Sequence, residues 1–360
     1  EKDSRSLPNM KPCLIIGQGL AGSFIALELI KRNIPCLVID AGDENSASRK
    51  AAGLWNPVSF KRITAHDSVH HYLKSLQEHW QRWTPILGDD FLHPLPLVRI
   101  FPDQTYANDW DVKSDSPKMA PLLNTPIQEQ PPWKIPFGAG IVSQAGWLDV
   151  PLYLKKVQLL LSQKNSFLKE QFVWNDLEMH NEGLQYNGQE YSQVIFCTGL
   201  FDAHPLLQTI PLIPNKGHLL EITAPHLTPQ NIIHYGNFCV PLGSERFRIG
   251  SSYEWEKADD SISTDIVQEL FMNFREHCDT QHSLISTYVG HRPTVKDRNP
   301  IIGSLPEHPR MAIFNGLGTK GVLQGPYLAS LLADHLYQQQ PIPKAFSIDR
   351  FLNKDRLNTP

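Results

Sequence analysis

The chain has 360 residues with a formal net charge of -4, 41% hydrophobic and 19% charged residues. These are the proportions of an ordinary globular protein large enough for two domains. The acidic balance argues against a sequence-blind nucleic-acid binder, and no apolar run reaches the ~20 residues that span a bilayer.

Residues 1–9 are polar, carry no apolar export-signal core, and do not enter the fold expectation. Residues 13–16 form a short apolar run, as expected for a buried parallel strand. A glycine turn, Gly17, Gly19 and Gly22, opens an amphipathic helix over 20–32 with Phe24, Leu27 and Ile30 on its inner side. Asn33 and Pro35 end it, and residues 36–39 give a second strand that ends at Asp40. This is a βαβ unit of the doubly wound type, suited to a dinucleotide. Gly17 permits the tight turn, Gly19 lets the backbone approach a pyrophosphate, and Gly22 lets the helix pack on the sheet. Leu20 and Ala21 offer helix N-terminal amides to the phosphates. Asp40 accepts hydrogen bonds from ribose hydroxyls and repels a 2′-phosphate, which disfavours NADP.

Residues 51–57, AAGLWNP, place the small Ala52 and Gly53 before Leu54 and Trp55, which either lets backbone amides approach a ring edge or makes a tight loop with a packed tryptophan. A helix is expected over 66–83, with Val69, Tyr72, Leu73, Leu76 and Trp80 on one side. Its histidines, His66, His70, His71 and His79, read as surface residues, and no metal site is expected. Residues 84–140, rich in proline and tryptophan, read as an irregular or β-rich insertion. Asp149 and Pro151 predict a helix start and a helix to about 163. Residues 193–197 make another buried strand, and period-2 runs over 211–255 predict an antiparallel sheet. The five cysteines are odd in number and lack CxxC spacing, as expected in a reducing cytoplasm.

The chain then returns to strand, glycine turn and helix: 311–315, Gly316 to Gly321, and 322–337. GLGTKG matches the same glycine spacing, yet no acid-ending strand follows, so a second dinucleotide site fails. The glycines instead let the turn lie against a flat cofactor, with the positive helix end favouring a reduced flavin. In VGHRPTVKDRNPIIG, Arg292 sits between Gly290 and Pro293 on a stiff segment. It either forks a substrate carboxylate or forms an ion pair with Asp297.

AAGLWNP resembles the signature of D-amino acid oxidases. VGHRPTVKDRNPIIG and NGLGTKGVLQGP are similar to the C-terminal segments of that family and its glycine and sarcosine oxidase relatives. CTGL at 197–200 and NKGH at 215–218 resemble further family segments, so the likeness runs from residue 13 to about 337. It implies an α/β fold: a Rossmann-like FAD-binding domain with an inserted, mainly antiparallel β substrate domain. The expected division is 10–80, 141–210 and 285–360 for FAD, with 81–140 and 211–284 as the substrate or cap domain. The implied FAD contacts are Gly17, Gly19, Leu20, Ala21, Gly22, Asp40, Ala52, Gly53, Leu54, Val173, Thr198, Gly199, Gly316, Leu317, Gly318, Thr319, Lys320, Gly321 and Val322. Binding is non-covalent, since no cysteine lies in the flavin loop. The implied reaction oxidises the C–N bond of a small amine or amino acid by hydride transfer to flavin N5, with dioxygen as the expected acceptor. Arg292 is the carboxylate anchor, and Lys320 assists dioxygen reduction, binds substrate, or is a solvated lysine. Trp55, Tyr235 and Tyr253 are the candidate pocket aromatics. The family usually carries Glu at the position of Asp40. Two alternatives are a flavoprotein acting on a modified tRNA side chain and an NAD-linked dehydrogenase.

Overall fold

The structure, a computed structural model, describes residues 10–180, 183–200, 205–208, 210–228 and 230–352. Residues 1–9, set aside on sequence grounds, lie outside them.

A six-stranded sheet runs in the order Phe167–Lys169, Cys36–Asp40, Cys13–Ile16, Gln193–Phe196, His308–Asn315, Ile301–Leu305. The first five strands are parallel and the last is antiparallel. Every residue of Cys13–Ile16 is buried, which is why its sequence is continuously apolar rather than alternating. Helices Leu20–Lys31, Val69–Leu87, Val150–Gln163 and Gly321–Gln338 share one apolar cluster with this sheet. A second cluster with Leu184, Tyr186 and Tyr191 forms around Leu14, Ile16 and Val194.

The helix starts follow local chemistry. The Asp149 carboxylate accepts from the Leu152 amide at 3.1 Å, capping Val150–Gln163. Asn33, at φ 59°, closes Leu20–Lys31 in the left-handed region. Helix Val69–Leu87 runs four residues beyond its expected end at 83. It buries Val69, Tyr72, Leu76, His79, Trp80, Trp83 and Leu87. His79 is thus a core residue, a correction to its reading as a surface histidine: position 79 follows 72 and 76 along one helix face.

The first and last helices are neighbours. A Cβ on Gly325 would lie 2.3 Å from the Phe24 ring, so only glycine permits this approach. Arg32 seals the same contact, with Nη1 2.6 Å from Asp334 Oδ1 and Nη2 donating to Ser330 Oγ at 3.0 Å.

A second, nine-stranded and mainly antiparallel sheet contains Leu97–Ile100, Leu123–Ile127, Ala139–Val142, Leu212–Thr223, Ile232–His234, Phe238–Gly243, Arg246–Gly250, Glu254–Trp255 and Ser283–Val295. Helix Thr264–His277 packs Leu270 and Phe274 into this sheet's apolar cluster. The expected boundary at 285 cuts through a strand. Ser283–Val295 pairs along nearly its whole length with Leu212–Thr223, so it belongs to the antiparallel sheet up to Val295. Its half-buried, polar-rich pattern hides it from a search for apolar runs. Among the described residues, no helix is long and apolar enough to cross a membrane.

Candidate active site

The two glycine turns, almost 300 residues apart in sequence, line one cavity of about 1190 Å³ between the two sheets. At the first turn Gly17 has φ +97°, and a Cβ there would lie 2.6 Å from the Cys197 carbonyl oxygen. A Cβ on Gly22 would sit 1.8 Å from the Gly17 carbonyl oxygen, so the helix packs too closely for any side chain. Gly22 therefore shapes the turn without lining the cavity, while Gly17, Gly19, Leu20 and Ala21 line it. Gly19, the N-cap of helix Leu20–Lys31, has no side chain to cap it, and Leu20 and Ala21 line the cavity at the positive end of the helix.

Asp40 stands beside this turn. Its two oxygens accept from the Gln18 and Gly42 amides at 2.6 and 2.7 Å, which fixes the carboxylate and leaves lone pairs for hydroxyl donors. Ser48, which sequence reasoning missed, accepts from the Leu20 amide at 3.1 Å and touches Gly19. Its signal was faint: a polar run of small residues soon after the acid-ending strand.

The second turn has the same build. Gly316 and Gly318 have φ of +71° and +53°, and helix Gly321–Gln338 also starts without a side-chain cap. Leu317, Gly318, Thr319, Lys320, Gly321 and Val322 line the cavity, as do Thr198 and Gly199. Gly316 makes the turn from behind, where a Cβ would meet Val295 at 2.8 Å. Asn315 ties the two loops together and was not anticipated: its Nδ2 donates to the Gly199 carbonyl at 2.9 Å and its Oδ1 accepts from the Gly316 amide at 2.8 Å. Ala52, Gly53 and Leu54 complete this wall. Gly53 is pinned against Leu148, whose amide donates to the Gly53 carbonyl at 2.9 Å.

Two helix N-termini, a fixed acid and a lining of glycine turns suit a long anionic dinucleotide such as FAD. Val173 does not line the cavity; its amide donates instead to the Tyr186 hydroxyl at 3.2 Å.

The opposite wall is one face of the antiparallel sheet. Alternate residues Leu97 and Arg99, and Gly217 and Leu219, line the cavity, as strand pleating requires, while on Ser283–Val295 the run Gly290, His291, Arg292 and Pro293 does. Arg292 Nη2 donates to Ser251 Oγ at 2.8 Å, and Nη1 donates to Asn215 Oδ1 at 3.2 Å. The guanidinium lies 4.7 Å from the Tyr253 ring centre. Burial pulls its pKa below the ordinary arginine value, with Tyr253 opposing. The ion pair with Asp297 is absent. Asp297 binds Arg350 at 2.8 Å, and Arg292 has no carboxylate within 4 Å among the described residues. Lys320 also lacks such a partner, and partial desolvation and then Arg298 lower its pKa.

Trp55 and Tyr235 do not reach the cavity, a correction in both cases. Strand alternation turns each away: Leu54 and His234 face the cavity, so their neighbours face the core. Trp55 packs over Gly146, and Tyr235 packs against Trp133 and His277. Tyr253 does line it. Among the described residues, no group of three or more His, Cys, Asp or Glu could hold a metal.

The chain is 24% identical over 366 residues to glycine oxidase of Pseudomonas aeruginosa, covering 91% of this chain and 95% of that protein. It is 22% identical over 375 residues to the tRNA 5-methylaminomethyl-2-thiouridine biosynthesis bifunctional protein MnmC of Acinetobacter baylyi, covering 96% of this chain but only 57% of that longer protein. Among solved structures, glycine oxidase from Geobacillus kaustophilus has a TM-score of 0.76 at 20% identity, covering 95% of this chain and 98% of its own. Iminodiacetate oxidase from Chelativorans sp. BNC1 has a TM-score of 0.75 at 19% identity, covering 92% and 97%. The family model for DAO, FAD dependent oxidoreductase, matches residues 13–335, and the chain belongs to this family of FAD-dependent oxidoreductases.

Proposed function

We propose that the protein oxidises the C–N bond of a small amine or amino acid that carries a carboxylate. Bound FAD would supply the two-electron acceptor, with dioxygen restoring it. The residues that would hold FAD are Gly17 to Ala21, Asp40 and Ser48 at the dinucleotide end, and Ala52 to Leu54 and Leu317 to Val322 around the ring. The single observation that carries the substrate reading is Arg292, a guanidinium on the cavity wall whose neighbours are neutral. A desolvated arginine without an anion is costly, and a carboxylate ligand supplies one in forked geometry. Ser251 and Asn215 hold the guanidinium in orientation, and the Tyr253 ring covers it. Lys320 places a cation in the second glycine turn, where it favours negative charge developing during dioxygen reduction.

The test is anaerobic titration of the purified flavoprotein with a panel of carboxylated amines. Bleaching of the flavin band by a member of the panel, reversed by air, supports the reading. A panel that leaves the band untouched overturns it.

A second reading is oxidation of an amine on a tRNA side chain. The likeness to MnmC proteins over 96% of the chain favours it, while the net charge of -4 weighs against it. Bleaching by tRNA bearing the modified base, but by no free amine, would select this reading.

A further inference from the structure

The cavity wall holds a second arginine that the reading above does not use. Arg99 is 9% exposed and sits in the strand Leu97–Ile100, a lone charge in the apolar run LPLVRIF. Its Nη1 approaches His234 Nδ1 at 2.8 Å, and its guanidinium lies 5.5 Å from the Phe60 ring centre and 5.1 Å from that of Tyr106. Its Nε is buried with no hydrogen-bond partner. Its partners among the described residues are thus an imidazole and two aromatic rings, with no ion pair. His234 provides no negative charge: burial and then Arg99 hold its pKa at about 3, so it is a neutral acceptor. Lys61 lines the same cavity and adds positive charge. Of the acids that line the cavity, Asp40 ends one strand of the parallel sheet and Asp43 and Glu170 follow such strands, at the nucleotide end.

Arg99 and Arg292 stand on the same face of the antiparallel sheet, separated by the strands Ile232–His234, Phe238–Gly243, Arg246–Gly250 and Leu212–Thr223. Five inter-strand steps amount to ~24 Å across the sheet, and the register sets Arg99 level with Tyr288, four residues or a further ~13 Å along the strand from Arg292. They mark two places on the wall, not one clamp. A buried guanidinium whose neighbours are neutral is costly unless an anion completes it.

We infer that Arg99, set by His234, is the specificity determinant for a second anionic group on the substrate, distal to the carboxylate held by Arg292. The substrate class is then an elongated amine or amino acid with an acid at each end, rather than a compound as small as glycine. This rests on the amine oxidation reading above, because Arg292 must hold the first carboxylate.

The experiment compares N-alkylglycines of equal length that end in a carboxylate, a phosphonate, a carboxamide or an ammonium group, using the FAD-loaded protein. The expected result is a kcat/KM at least tenfold higher for an anionic end than for the carboxamide, and lowest for the ammonium. The carboxylate and phosphonate arms show which acid fits. Arg99→Gln should collapse the carboxylate-to-carboxamide ratio to about one, and Arg99→Lys should keep part of it. Flavin absorbance per protein reports whether each variant still folds.

A binding arm needs no turnover. Dicarboxylic acids without an amine should perturb the flavin spectrum at least tenfold more tightly than monocarboxylic acids of equal length, and Arg99→Gln should remove that gain. Equal use of carboxylate and carboxamide ends by the unaltered protein overturns the inference, as does a preference that survives Arg99→Gln. If monocarboxylates bind through Arg292 but a second acid adds nothing, this inference fails and the amine reading stands. If neither mono- nor dicarboxylates bind, both fall.

Discussion

Gly217 and Arg292 face each other across neighbouring strands so closely that a Cβ at 217 would lie 2.3 Å from Arg292 Nη2. The register explains it: Gly217 pairs with Gly290, and Asn215 pairs with Arg292, so the guanidinium folds back over the glycine. The glycine of the NKGH segment is thus a seat for the arginine. Gly217→Ala should displace the guanidinium and raise KM for a carboxylated substrate about tenfold, with FAD retained. Arg292→Ala should cost more, roughly 2–5 kcal/mol for a truncated buried charge partner, or ~30-fold and upward in KM. Steady-state kinetics beside flavin content checks both. An unchanged KM in Arg292→Ala would remove the residue from substrate recognition.

The parts of this site that were legible in sequence are the local ones. A glycine turn between an apolar strand and an amphipathic helix announces itself within some thirty residues, and Gly17, Gly19 and Asp40 could be placed on that basis. Long-range pairings gave no such signal. Ser283–Val295 is exposed at its start and half-buried where Gly290 to Pro293 line the cavity, so its pattern does not read as a core strand. Tyr235 was chosen as a pocket aromatic by type, whereas alternation puts its neighbour His234 in the cavity. Arg99 did leave a mark, as the one charge in an apolar run, but only the folded wall gives that charge a purpose.

Asp40 joins both sides of the nucleotide turn through the Gln18 and Gly42 amides, one per oxygen. Asp40→Asn keeps the shape but points an NH2 group at one of those N–H donors. The lost hydrogen bond and the opposed donors cost about 1–3 kcal/mol. FAD affinity should therefore fall by about tenfold or more. Flavin retained after gel filtration, and fluorescence titration of the apoprotein, measure this. Full retention of FAD would mean that Asp40 does not face the ribose.

Lys320 is the candidate cation for the oxidative half of the cycle. Its pKa is lowered first by desolvation and then by Arg298. Lys320→Met should slow reoxidation by dioxygen about tenfold and leave the anaerobic reduction rate near that of the unaltered protein. In the unaltered protein, reoxidation should slow as pH rises through a pKa below the usual lysine value, because the ammonium is lost there. Stopped-flow mixing of reduced protein with air-saturated buffer separates the two halves. Equal reoxidation rates would return Lys320 to the role of a solvated lysine.

His79 gives the stability of the fold a pH dependence. It is 9% exposed, packed against Phe24, Trp80 and Tyr153, with Nε2 3.3 Å from the Tyr153 hydroxyl. Burial, then Lys31, hold its pKa at about 3, against 6.5 for the free side chain. The unfolded chain therefore binds a proton between these values that the folded protein refuses. Stability is fully present above pH ~6.5 and declines as pH falls towards 3, by up to ~1.4 kcal/mol per pH unit from this residue alone. Urea melts at pH 7, 6, 5 and 4 should show the decline, and His79→Phe, which removes the titrating group but keeps a ring, should flatten it. An identical slope in the variant would show that other groups carry the acid sensitivity.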